Sequence, residues 1–346
     1  MSKLQAPFPY FGGKSKIAGV VWQLLGDVSN YVEPFGGSLA VLLARPAWHR
    51  GYLETVNDKD GFLVNFWRAV QAAPDEVARW ATWPVSEADL TARHWWLITE
   101  GRRRIANLEA DPFLCDAQVA GWWVWGMCCW IGGGWCAGDG PWVVQDGKLV
   151  KSEGEGGVNR KKPHLGRPVG IHKQLPSLAH PQGVLREVGS SASQAVVRGC
   201  ALVEEPDKQA GLVEWMRALA ARLARVRICC GDWSRVVTRG ALAHGSTVGI
   251  FLDPPYSPDL RADGVYSHDE EGLSARVREW AIEHGRDPRL RIVLCGYEGE
   301  HDMPDSWQEI AWRAGAAYKT HHGDLTRNRF KERLWASPAC NRLVLF

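Results

Sequence analysis

The sequence predicts an α/β protein built on a doubly wound, Rossmann-like sheet, with a helical and irregular segment inserted in its middle. Three observations predict it. Residues 31–58 run strand, glycine turn, short helix, strand, acid, which is the opening order of a doubly wound sheet. The apolar run Val248-Gly249-Ile250-Phe251-Leu252 reads as a buried strand, and the tetrapeptide Asp253-Pro254-Pro255-Tyr256 follows at its end. Between about residues 74 and 206 this pattern gives way to Trp-rich helical stretches and a long polar segment, after which strands resume.

In chain order, Ile17, Val20, Val21, Leu24 and Leu25 form one helical face, and Gly26 is its stop. Tyr31-Val32 is the first strand and runs into Glu33-Pro34-Phe35-Gly36-Gly37-Ser38. Ser38 is placed to cap a short helix over 39–45 that Pro46 closes. Residues 52–56 read as a second strand ending at Asn57-Asp58, and 61–72 as a helix. Many of the nineteen tryptophans fall between Trp67 and Trp142, which suggests a separate aromatic-rich module. A glycine-rich loop, Ile131-Gly132-Gly133-Gly134-Trp135, and a polar stretch over 139–193 follow; that stretch is long for a loop, so it is functional or partly disordered. Leu212, Trp215, Met216, Leu219 and Leu223 then make a helical stripe, and 226–230 a strand ending at Gly231-Asp232-Trp233. A helix over 272–284 and a strand over 291–295 come next. Residues 307–313, 333–336 and 342–346 are candidates for an antiparallel edge. The organisation is therefore one domain, 1–73 with 207–346, interrupted by an insertion at 74–206.

The bulk numbers bound the function classes. A chain of 346 residues, 45% hydrophobic and 23% charged, is an ordinary globular composition. A net charge of +2 announces no nucleic-acid partner, so any basic surface is local. Nine cysteines occur without a CxxC pair, and Cys128-Cys129 and Cys229-Cys230 lie in apolar runs, which suits reduced thiols in a cytoplasm. The N-terminus has no apolar signal core and no run is long enough to span a bilayer. His321-His322 and the Cys128, Cys129, Cys136 group lack metal-site spacing, so no metal is assigned.

The chemistry concentrates at the strand ends. After 248–252 come a carboxylate (Asp253), two prolines (Pro254, Pro255) that remove backbone donors, and an aromatic ring (Tyr256). An acceptor carboxylate, a free carbonyl and a stacking ring suit a flat heterocycle with an exocyclic amine. Gly36 and Gly37 let backbone approach a ligand. Asp58, 21 residues after Gly37, is near the spacing at which such folds set an acid on ribose hydroxyls, though a helix cap reads equally well. Asp232 is placed to accept from an adenine amine beside the apolar face of Trp233, or to cap a turn. Residues 159–173 hold Arg160, Lys161, Lys162, Arg167 and Lys173 and no acid, a stretch that grips phosphates or is a solvated surface.

Together, Pro9-Tyr10-Phe11-Gly12-Gly13-Lys14, Glu33-Pro34-Phe35-Gly36-Gly37-Ser38, Asn57-Asp58, Gly231-Asp232-Trp233 and Asp253-Pro254-Pro255-Tyr256 resemble, in that order, the Dam-like D12 class of DNA N6-adenine methyltransferases, in a phage or prophage form. The resemblance implies a methyltransferase sheet, S-adenosylmethionine as cofactor, double-stranded DNA as partner, and a target-recognition role for the insertion. A cognate restriction enzyme is a further implied partner. Carried over residue by residue, it implies cofactor contacts from Tyr10, Lys14, Glu33, Pro34, Phe35, Gly36, Gly37, Asp58, Asp232, Trp233 and Asp253. Catalysis would fall to Asp253, Pro254, Pro255 and Tyr256. The family's turn usually reads Phe-x-Gly-x-Gly, whereas the last position here is Leu39. N4-cytosine methylation and a non-catalytic DNA-binding protein on the same fold are the alternatives. A dinucleotide oxidoreductase is disfavoured by the lack of a full GxGxxG.

Overall fold

The computed structural model describes residues 4–10, 12–46, 51–130, 135–136, 142–145, 148–151, 206–255, 272–312 and 332–343. Its strands are β1 (Asn30–Glu33), β2 (Leu53–Asp58), β3 (Trp142–Gln145), β4 (Lys148–Lys151), β5 (Val226–Cys230), β6 (Val248–Leu252), β7 (Leu290–Tyr297), β8 (Gln308–Ala311) and β9 (Glu332–Ala336). Its helices are α1 (Ala18–Leu25), α2 (Ala40–Leu43), α3 (Gly61–Ala72), α4 (Pro74–Ala81), α5 (Glu87–Trp96), α6 (Ala117–Cys129), α7 (Pro206–Leu223) and α8 (Leu273–His284). Helix α5 runs on through a π turn, Leu97–Gly101, and a last turn, Arg102–Arg104.

Seven strands form one sheet in the order β5-β2-β1-β6-β7-β9-β8. The first five are mutually parallel, and β9 lies antiparallel to both β7 and β8. This is the α/β doubly wound sheet that the sequence predicts. Strand order reverses between β1 and β6, and the crevice at the carboxyl ends of such a pair is where open α/β sheets bind ligands. β3 and β4 pair with each other as a hairpin, which the reading of 139–193 as a polar stretch does not anticipate.

All of β1 and β6 is buried, as parallel strands covered on both faces must be. On one face Tyr31, Val56, Phe251 and Val293 join a core with α1, α3, α4, α6 and α7; on the other, Val32, Ile250, Ile292 and Leu294 pack with α8 and Trp233. Among the described residues, the Trp-rich helices share the first core with the sheet. Phe8 meets the rings of Phe66, Trp67 and Trp123 at 5.1–5.9 Å.

Local signals explain the elements near the site. Gly26, at φ 61°, ends α1 and its N–H bonds the Trp22 carbonyl. Asp60 caps α3 by accepting from the N–H groups of Phe62 and Leu63, so the helix cap falls to Asp60 and not to its neighbour Asp58. Two sequence expectations are corrected. Ser38 makes no cap bond: the residue before α2 is Leu39, in the left-handed conformation, and the helix spans only Ala40–Leu43. The edge is made by β8 and β9 alone among the described residues, because Arg342 and Leu343 are not in a strand. Residues 344–346 lie outside the described residues, as does most of 139–193.

Candidate active site

A hollow opens at the carboxyl ends of β1, β2, β5 and β6, lined by residues from all four strand ends and from the segment preceding α1. Its empty volume, solvent at the mouth included, is about 930 Å³. Of the residues expected at a site, Tyr10, Lys14, Glu33, Pro34, Phe35, Gly36, Gly37, Asp58, Asp232, Trp233, Asp253 and Pro255 line it. Pro254 is buried, and Tyr256 lies outside the described residues, as do Arg160, Lys161, Lys162, Arg167 and Lys173.

The glycine turn leaves β1 through Pro34 and is tied back to β2. The Gly36 N–H donates to the Asn57 carbonyl at 2.7 Å, and the Gly37 N–H to Asp58 Oδ2 at 2.9 Å. Gly37 sits at φ 49°, and a Cβ there would lie 2.8 Å from the Tyr10 ring, so glycine is required twice over. From behind, Trp67 Nε1 donates to the Gly37 carbonyl at 3.0 Å. Leu39 takes the left-handed conformation at φ 53° and ψ 28°. The turn therefore keeps a glycine-like path despite lacking the third glycine.

Four carboxylates from four strand ends differ in environment. Glu33 is buried, and its Oε2 accepts from the Tyr31 hydroxyl at 3.0 Å and the Leu42 N–H at 3.3 Å. Burial pushes its carboxyl up to about 8; the Tyr31 and Leu42 bonds oppose the rise, and Asp253 and Glu54 add to it. Asp58 is pushed up to about 6, by burial first, against the N–H groups of Asp60 and Gly37. Asp232 starts the short turn Trp233–Val236, its Oδ1 accepting from the Ser234 N–H. Asp253 ends β6 and forms an ion pair with Lys14, Nζ to Oδ2 2.8 Å; Lys14 is 4% exposed and also donates to the Gly12 carbonyl. The sequence assigns Lys14 to the cofactor, so this link to the carboxylate 239 positions away is new.

At one wall Phe35 and Trp233 stack with centroids 6.1 Å apart and planes at 25°. Sequence reasoning missed Asn57 as more than a motif letter, together with Ser38, Lys59, Asp60 and Leu273, which also line the hollow. A polar residue ending a buried strand was the signal available for Asn57. Among the described residues no group of three or more His, Cys, Asp or Glu is placed to hold a metal ion. No described helix is long and apolar enough to cross a membrane.

The residues fit a nucleoside cofactor that carries positive charge. Acids line the hollow, aromatic faces stand at one wall, and a glycine cradle leaves backbone at the surface. Residues 10–86 match the family described as D12 class N6 adenine-specific DNA methyltransferase. The matched stretch carries Tyr10, Lys14, the glycine turn and Asp58, and stops before Asp232 and Asp253. No curated protein matches the chain. The match and the sheet together support an enzyme, an adenine-specific DNA methyltransferase, and with it DNA as the substrate.

Proposed function

We propose that the chain transfers a methyl group from S-adenosylmethionine to the N6 amine of an adenine flipped out of double-stranded DNA, at specific sites. The observation that carries the reading is the convergence of Glu33, Asp58, Asp232 and Asp253 around one hollow at the switch point of a parallel sheet. S-adenosylmethionine supplies an electrophilic methyl on a cationic sulfonium.

Tyr10, Lys14, Glu33, Pro34, Phe35, Gly36 and Gly37 hold its amino-acid end, with Asp253 close to Lys14. Asp58 takes the ribose, its carboxylate already held in place by the Gly37 and Asp60 N–H groups. Asp232 and Trp233 take the adenine. Asp253 accepts one hydrogen of the target amine and the Pro254 carbonyl the other. The nitrogen lone pair is thereby drawn out of conjugation and aimed at the methyl. The N–C bond would form as the S–C bond breaks, leaving the neutral thioether S-adenosylhomocysteine, and the surplus amine proton would pass to solvent. Pro255 and Tyr256 complete the wall against the base. Placement supplies much of the rate, because no covalent enzyme intermediate is needed. Flipping the base costs roughly a few kcal/mol, which contacts to the DNA must offset. The insertion, 74–206, serves target recognition, and Arg160, Lys161, Lys162, Arg167 and Lys173 meet phosphates.

The test is to incubate the pure protein with unmodified DNA and labelled methyl donor, then digest the product to nucleosides. N6-methyladenine is expected; N4-methylcytosine would move the target, and no labelled nucleoside would sink the reading. Asp253→Ala should still bind S-adenosylmethionine and lose at least about a hundredfold in turnover, in line with losing a group that acts on the transition state. Repeating the wild-type assay as salt is raised reports the phosphate contacts.

A further inference from the structure

Asn57 stands at the carboxyl end of β2, the strand that runs between β1 and β5, and is 2% exposed. The β1–β2 ladder has already ended, at Glu33 and Val56. Beyond it, one side-chain amide reaches both neighbours. Nδ2 donates to the Pro34 carbonyl at 3.0 Å on the β1 side and to the Gly231 carbonyl at 2.9 Å on the β5 side. Both of its hydrogens are used. The main chain adds to the same tie: the Asn57 carbonyl accepts from Gly36 N–H, and the Asp58 carbonyl from Gly231 N–H at 3.0 Å.

Pro34 opens the glycine turn, and Gly231 leads into Asp232 and Trp233. The amide therefore cross-links the two walls of the hollow at the point where a twisted sheet begins to splay. Its other atom argues that the donors are what matter. Oδ1 is buried and has no partner among the described residues, a cost that a small apolar side chain would avoid.

We infer that Asn57 is a positioning residue: its amide sets the distance between the glycine turn and the Asp232–Trp233 wall, and so the affinity for a nucleoside cofactor. It touches neither the reacting methyl nor the target base. The inference rests on the proposed function, since it concerns the same hollow.

Asn57→Asp is the discriminating variant. It keeps the shape of the side chain and replaces the NH2 group, which donates both bonds, by one oxygen that faces two carbonyls. With the full chain at pH 8, the variant should bind S-adenosylmethionine about tenfold or more weakly and raise KM for it equally, with kcat at saturating cofactor within about threefold of wild type. A carboxyl held between carbonyls takes up a proton as pH falls, and the protonated acid can donate one of the two lost bonds. The ratio of variant to wild-type Kd should therefore shrink toward pH 6. Asn57→Ala should lose affinity to a similar degree with no such recovery, a contrast that loss of packing alone cannot produce. Wild-type affinity in Asn57→Asp at pH 8, a loss confined to kcat, or failure of both variants to fold would each overturn the assignment. Wild-type protein that binds no S-adenosylmethionine would sink the cofactor reading itself, and this inference with it.

Discussion

At the scale of single residues, Glu33 and Leu39 are both held in states their types disfavour. The Glu33 carboxyl, pushed up to about 8 chiefly by burial, holds a proton in the folded protein that an unfolded chain releases near 4.5. The stability this contributes is complete below 4.5 and is lost as pH rises through 8. The groups that bear on it are Tyr31 on its own strand, Glu54 on β2 and Asp253 at the end of β6. A cation in the hollow favours the ionised form, so binding it releases the proton. The ratio of Glu33→Gln to wild-type Kd for S-adenosylmethionine should rise with pH below about 8, by no more than about tenfold per pH unit, and level off above. A flat ratio from pH 6 to 9 would mean that Glu33 does not ionise on binding. Leu39 is 1% exposed at φ 53°. The left-handed conformation costs a non-glycine residue about 1–2 kcal/mol, while emptying a buried leucine site costs about 2–5 kcal/mol. Burial wins, which is why leucine is tolerated where the family pattern has glycine. Leu39→Ala should be less stable by about 2–5 kcal/mol in denaturant titrations, and Leu39→Gly by about 1–4 kcal/mol, since its backbone strain is relieved. The glycine variant should be no worse than the alanine one, the reverse of the usual order, because only glycine relieves the backbone.

At the scale of elements, the exposed flank of the sheet is closed by side chains. Among the described residues β5 is an edge strand, paired with β2 alone. Alternate carbonyls of a strand point to one side, and three in alternation accept from side chains: Val226 from Gln71 at 3.0 Å, Ile228 from Arg68 at 2.9 Å and Cys230 from Arg235 at 3.3 Å. An edge so occupied does not template another strand. Arg68, on α3 and 5% exposed, also donates to the carbonyls of Leu108 at 3.1 Å and Asp111 at 2.9 Å, pinning the loop before α6. Arg68→Lys offers no planar fork to span three carbonyls, so it should lose about 2–4 kcal/mol of stability, close to Arg68→Ala. A lysine variant as stable as wild type would show that the carbonyls find other donors. This closure marks the limit of what the sequence discloses. β5, β6 and α3 were legible to the residue or nearly so, because apolar runs and a 3.6-residue stripe report burial directly. The strand-end acids were legible because doubly wound sheets put ligands there. Partnerships were not: Lys14 with Asp253, Asn57 with Pro34 and Gly231, and Arg68 with Ile228 join residues far apart in the chain. Such links leave no periodic trace. Ser38 was misassigned as a cap for a related reason, since its neighbour's left-handed backbone is imposed by packing around Leu39 and the turn's own hydrogen bonds.

At the scale of the molecule, the described helices between residues 74 and 129 share one core with the sheet. Val77, Leu90, Val119 and Trp123 belong to the cluster that contains Tyr31, Val56 and Phe251. The N-terminal segment binds the two parts together: Phe8 packs between Phe66 and Trp123, Tyr10 lies against Gly37, and the Gln5 carbonyl accepts from Trp215 on α7. Elements that share one core open together, and a ligand that binds only the native form lowers the open population of all of them. None of α6 lines the hollow, so α6 has no direct reason to feel the cofactor. In native-state hydrogen exchange, S-adenosylmethionine at 100 times its Kd should nevertheless slow the buried amides of α6 by about a hundredfold, the full linkage factor, together with those of β1 and β6. Protection gained by the strands and α3 alone would show that the Trp-rich helices open on their own, and the continuous core would then be a packing contact without cooperativity.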